Sequence, residues 1–81
     1  MKLKIRVMGY DIPAESSAQI ELADGSSVRD ALSEYLRQSE VGVDLKELSK
    51  SQFLVNGKAC PVDRTLNDGD ELTVLRLLGG G

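Results

Sequence analysis

The sequence contains no histidine and no tryptophan, and it has a single cysteine, Cys60, in 81 residues. Without histidine the commonest general base and metal ligand is missing, and one thiol can build neither a disulfide nor a cysteine zinc site. Aromatic rings are scarce, two Tyr and one Phe, and the formal net charge is −3. Both features argue against a nucleic-acid surface, where a basic face interleaved with stacking rings is expected. No apolar run approaches the roughly 18–20 residues a spanning helix needs, and Met1-Lys2-Leu3-Lys4 passes straight into alternation without the apolar core of a signal peptide. No membrane partner is expected, and the reading is cytoplasmic; an unpartnered Cys60 agrees with a reducing compartment. With 41% hydrophobic and 28% charged residues the chain has the balance of one small soluble domain. A domain of this size buries only roughly 60–65% of its unfolded surface, which leaves little room for an internal active site. Only carboxylate or backbone chemistry remains.

The residues that are present show clear periodicity. Lys2 to Met8 alternates, with Leu3, Ile5 and Val7 on one face and Lys2, Lys4, Arg6 and Met8 on the other, as in a half-buried strand. Gln19 to Leu22 repeats the pattern and extends back to Ala18. Gly9 to Ser17 between them reads as a long hairpin loop, which makes the first two strands antiparallel neighbours. Ser27 with Asp30 approximates a capping box, and Val28, Ala31, Leu32, Tyr35 and Leu36 then follow at helical spacing. Arg29, Asp30, Ser33, Glu34 and Arg37 occupy the opposite side of this helix of about three turns. Ser39 to Ser51 is polar, with one short helical turn expected near Leu45 to Leu48.

Phe53-Leu54-Val55, Asn56-Gly57 and Lys58-Ala59-Cys60 form the strongest hairpin signal in the chain, because Asn-Gly accepts the positive φ angles of a type I′ turn. Pro61 ends that pairing. Leu66-Asn67-Asp68-Gly69-Asp70 is a tight turn that launches Glu71 to Leu75, with Leu72 and Val74 on one face. One helix across one mixed sheet, with the last strand parallel to the first through a right-handed crossover, is an α+β roll of the β-grasp type. The sheet is expected to have four to five strands.

In order, the starting strand, early hairpin, single helix, Val55-Asn56-Gly57 turn, Leu66-Asn67-Asp68-Gly69-Asp70-Glu71-Leu72 turn and a terminus of glycines cover nearly the whole chain. This arrangement resembles the ubiquitin-like sulfur carriers of the ThiS/MoaD family, which supply sulfur for thiamin thiazole and for molybdopterin. Molybdopterin carriers usually show a Pro-Pro pair before the diglycine, where this chain has Leu75-Arg76-Leu77-Leu78. The thiazole carriers tend to be shorter, but some end in three glycines. The acceptor pathway therefore stays open.

The resemblance implies a β-grasp domain over 1–78 and a flexible glycine tail over 79–81. It implies a protein co-substrate rather than an enzyme, or the small subunit of a synthase, with no catalytic residues and no bound cofactor. An E1-like adenylating and sulfurtransferase partner, using ATP and Mg, would activate the terminal carboxylate of Gly81. The resulting thiocarboxylate would serve an acceptor synthase, either the molybdopterin synthase large subunit or thiazole synthase. Gly80 belongs to the reactive terminus and Gly79 extends the flexible segment; glycine has no Cβ to obstruct entry into a narrow channel. Leu75, Leu77 and Leu78 are expected to dock on the adenylating partner, with Arg76 adding electrostatic orientation.

Each of these residues has a plainer reading. Gly79 to Gly81 could be a frayed terminus or a cloning remnant. The three leucines could be strand core or a tail folded back on the sheet. Lys2, Lys4 and Arg6 read as a solvated sheet face, Cys60 as a small buried or half-exposed packing residue, and Asp68 and Asp70 as turn-makers rather than paired catalytic carboxylates. Two other functions share the pattern: a ubiquitin-like modifier joined to lysines through its terminal glycine, and a β-grasp interaction module whose tail carries no chemistry.

Overall fold

The alternation of the first strand is realised as β1 (Lys2–Met8), whose Leu3, Ile5 and Val7 are buried while Lys2 and Lys4 are exposed. The structure is a computed structural model and describes residues 1–8, 16–38 and 44–76. β1 pairs antiparallel with β2 (Ser16–Glu21), from Lys2 opposite Glu21 to Val7 opposite Ser16. The second strand therefore begins two residues before the expected start and ends one before Leu22. The register explains this: β2 runs as far as β1 offers partners, so Ser16 and Ser17 join despite their weak strand character, whereas Leu22 meets only Met1. Its N–H still donates to the Met1 carbonyl at 3.0 Å. Most of the hairpin loop expected over Gly9 to Ser17 lies outside the described residues.

Helix α1 (Val28–Gln38) begins where the capping box was expected. The Asp30 carboxylate accepts the Ser27 N–H at 2.8 Å, and the Ser27 hydroxyl accepts the Asp30 N–H at 3.5 Å. The Val28 and Arg29 N–H groups donate to the Arg64 and Val62 carbonyls, both at 2.9 Å. The donors at the start of the helix are thus satisfied within the fold and are not offered to an anion. Val28, Ala31, Leu32 and Tyr35 are buried, and Leu36 is half-buried at the edge of the stripe. On the solvent side, hydrogen bonds from Arg37 and Gln38 hold the Glu34 carboxyl below the usual carboxylate range. That cluster braces the last turn of the helix through i,i+3 and i,i+4 contacts.

A single turn, α2 (Leu45–Leu48), forms at the expected place, with the Asp44 carboxylate accepting the Glu47 N–H at 2.8 Å and Leu48 buried beneath it. Strands β3 (Gln52–Val55) and β4 (Lys58–Cys60) close over Asn56 and Gly57, whose φ angles of 51° and 85° are those of a type I′ turn. A Cβ at Gly57 would have no neighbour within 4 Å, so an alanine there would meet a backbone penalty and no steric one. Gly57→Ala is expected to destabilise the domain by about 1 kcal/mol in urea titration, with the hairpin register retained.

The last strand, β5 (Glu71–Leu75), inserts between β1 and β3, giving the five-stranded order β2-β1-β5-β3-β4. It is parallel to β1 and antiparallel to β3, as a β-grasp roll requires. Leu3, Ile5, Val7, Ile20, Phe53, Val55, Leu72 and Val74 line one side of the sheet, and α1, Leu48 and Leu66 close over them in one core. Both described helices occupy this side.

Candidate functional site

Both helices lie on one side, and among the described residues no element covers the other side of the sheet. Alternation along β5 buries Leu72 and Val74 and turns Glu71, Thr73 and Leu75, all half-buried, to the open side. Register then decides which residues surround them. Leu75 lies between Met8 of β1 and Gln52 of β3, and Thr73 lies between Arg6 and Leu54. Leu54 is in turn opposite Ala59 of β4. Met8 and Leu75, at the end of the sheet from which the chain leaves, and Thr73, Leu54 and Ala59 in the next row thus form a largely apolar strip, with the polar Gln52 beside Leu75 at its edge. Arg6 and Lys4 flank it, with Glu71 opposite Lys4. The Lys2, Lys4 and Arg6 face is therefore solvated along most of its length and borders an apolar patch at one end.

Leu75 and Arg76, expected to dock together, point to opposite sides. The Arg76 N–H donates to the Met8 carbonyl at 3.1 Å, continuing the pairing with β1 by one residue. Its side chain follows the parity of Val74 toward the helix layer and lies 3.9 Å from the Glu47 carboxylate of α2. Leu77, Leu78, Gly79, Gly80 and Gly81 lie outside the described residues, as does the boundary expected between domain and tail.

Asp70 does more than make a turn. Its carboxylate, on a residue only 8% exposed, accepts the Asn56 side-chain N–H at 2.9 Å and the Asn67 backbone N–H at 2.8 Å. The Asn56 side-chain oxygen accepts the Glu71 N–H at 3.0 Å. Asp68 accepts the Lys2 N–H at 2.7 Å, which holds the turn against the start of β1. Both carboxylates are occupied by structural donors, and among the described residues no cluster suited to holding a metal ion is found. Cys60 is half-exposed and packs against the core, as expected of a small apolar residue. Among the described residues, no helix is long and apolar enough to cross a membrane.

Sequence reasoning placed Leu75 outward but did not bring Met8 beside it or Leu54 and Ala59 into the adjoining row. The period-2 pattern contained their parity; the strand register that brings them together was absent from it. Glu47 carried no local signal, because its relation to Arg76 is made by tertiary packing alone.

A family model described as the ThiS family matches residues 5–81. The chain belongs to the ThiS family. Solved structures similar to it include SAMP1 from Haloferax volcanii, at 22% identity over 100% of both chains with a TM-score of 0.73. A second is a putative molybdopterin converting factor, subunit 1, from Pyrococcus furiosus, at 26% identity with a TM-score of 0.60, covering 95% of this chain and 98% of the other. A third is the complex of subunits 1 and 2 of molybdopterin-converting factor from Helicobacter pylori, at 21% identity over 100% of both chains with a TM-score of 0.60. No curated protein matches the sequence significantly. The ubiquitin-like β-grasp fold is common to this ThiS-family chain and these structures.

Proposed function

We propose that the protein is a sulfur carrier whose reactive group is the carboxylate of Gly81. The observation that carries this reading is the ThiS-family match, which runs through Gly79, Gly80 and Gly81. The open sheet face supports it, because an apolar strip around Leu75 borders the point where β5 leaves the sheet. In the proposed sequence a terminal carboxylate oxygen attacks the α-phosphorus of ATP on an E1-like partner, and pyrophosphate leaves. A sulfur nucleophile at the sulfide oxidation level then displaces AMP from the acyl-adenylate, leaving a thiocarboxylate. ATP and Mg belong to the partner, and the carrier supplies the substrate carbon and the surface that presents it. No histidine or metal ligand is needed on this chain for either step.

The acceptor is a synthase that takes sulfur into molybdopterin or thiamin thiazole. The Pyrococcus and Helicobacter structures favour testing a molybdopterin synthase large subunit first, with this chain as the small subunit. Intact-mass spectrometry after incubation with an activating enzyme, ATP, Mg and a sulfur donor is the direct test. A species heavier by one oxygen-to-sulfur replacement is expected. Higher-mass isopeptide conjugates with no such species would replace the carrier by a modifier, and an unchanged mass would leave a β-grasp interaction module.

Leu75 gives a separate check on the surface. Leu75→Asp places a charge within the apolar strip, and about a 10-fold rise in KM for the carrier in adenylation is expected, with the thermal transition retained. Loss of the folded state would instead make Leu75 a core residue.

A further inference from the structure

The two sides of the chain at the end of β5 are unlike. Leu75 faces the open sheet and its apolar strip, whereas Arg76 turns to the helix layer and meets Glu47 at 3.9 Å, the two side chains being 44% and 51% exposed. Glu47 is held by its surroundings. Its N–H is bound by Asp44, and the next residue, Leu48, is 1% exposed in the core. The backbone of Arg76 is fixed as well, through its bond to Met8. The ion pair therefore joins α2, anchored in the core through Leu48, to the last described residue before 77–81, whose backbone is held by a single bond to β1.

We propose that Glu47 is a positioning residue that acts through Arg76: the pair fixes the guanidinium against α2 and so sets the direction in which the chain leaves the sheet. This inference rests on the reading that the terminus is activated inside a partner. Its physical basis is the cost of ordering. A chain entering a channel loses conformational freedom, and each torsion already restrained before entry lowers that loss. An exposed ion pair contributes little to folding stability, so the effect belongs to productive docking and not to the melting temperature.

Charge reversal separates positioning from direct contact. Glu47→Arg and Arg76→Glu are each expected to raise KM for the carrier about 3–5-fold in ATP–pyrophosphate exchange, with little change in kcat or in the thermal transition. The double variant E47R/R76E restores opposite charges and is expected to return KM to within about twofold of the parent. A double variant as poor as R76E alone would mean that Arg76 binds the partner directly, and an unaffected E47R would mean that the pair positions nothing. Either result overturns the proposal.

A second readout needs no partner. In 15N-resolved spectra of the chain alone, the Arg76 Nε–Hε signal is expected to move on Glu47→Gln. Insensitivity of that signal overturns the inference even if no activating enzyme accepts the protein. Conversely, a parent chain that is never adenylated but shows the shift counts against the proposed function and leaves the pairing intact.

Discussion

Removal of Gly81 alone is expected to abolish thiocarboxylate formation while leaving the melting temperature within about 1 °C of the parent. The two halves of this expectation have different physical sources. Among the described residues the last member of the core between the sheet and α1 is Val74, seven positions before Gly81, and loss of one terminal glycine is expected to leave that core as it is. The reaction depends on one carbonyl carbon standing in line with the α-phosphate. A misplacement of 1 Å at such a centre costs about 10²-fold, and shortening the chain by one residue moves the carboxylate by roughly 3.3–3.6 Å. Adenylation should therefore fall by at least about 10²-fold, measured by ATP–pyrophosphate exchange and intact mass. Gly81→Ala retains the length and adds only a Cβ, so its activity should lie between that of the deletion and the parent. Unchanged sulfur transfer after deletion would sink the carrier reading outright.

The fold was legible because its signals are local. The alternation of β1, the Ser27/Asp30 cap, the Asn56-Gly57 turn and the Asp-Gly turn before β5 each depend on a few neighbouring residues. The structure contains all of them at the expected positions. β2 was placed less well because its boundaries are decided by what β1 offers as partners, and its serines carry little pattern of their own. The candidate site divides along the same line. Leu75 could be placed outward from the parity of β5, but its neighbours come from β1 and β3, and the rest of the strip from β4, by register. The separation of Leu75 from Arg76 was implicit in that parity as well. What the sequence could not reveal was the destination of the guanidinium, since α2 reaches Arg76 only through tertiary packing.

The two motifs that most resembled the family, Val55-Asn56-Gly57 and the Asp68-Gly69-Asp70 turn, prove to be one structural unit, and the largest stability effect is expected there. Asp70→Ala removes a shielded carboxylate that accepts two N–H donors, one from the β3–β4 hairpin and one from its own turn. Hydrogen bonds to a charged acceptor contribute about 1.5–3 kcal/mol each, and both donors lie near enough to the surface to recover part of that from water. A net loss of about 2–3 kcal/mol follows, which for a domain of this size lowers the melting temperature by roughly 10–20 °C. Asn56 needs a control, because its φ of 51° penalises alanine for backbone reasons. Asn56→Gly removes the side chain and keeps the conformation. A cycle of N56G, D70A and the double variant should therefore show a coupling of about 1 kcal/mol or more, and additive losses would mean that the tie between hairpin and turn carries no energy. Below their melting temperatures these variants should be adenylated with the parent KM, because Asp70 lies at the start of β5 and the apolar strip at its end. That outcome would assign the motifs to the scaffold and leave recognition to the strip around Leu75, where the sequence carries no motif at all.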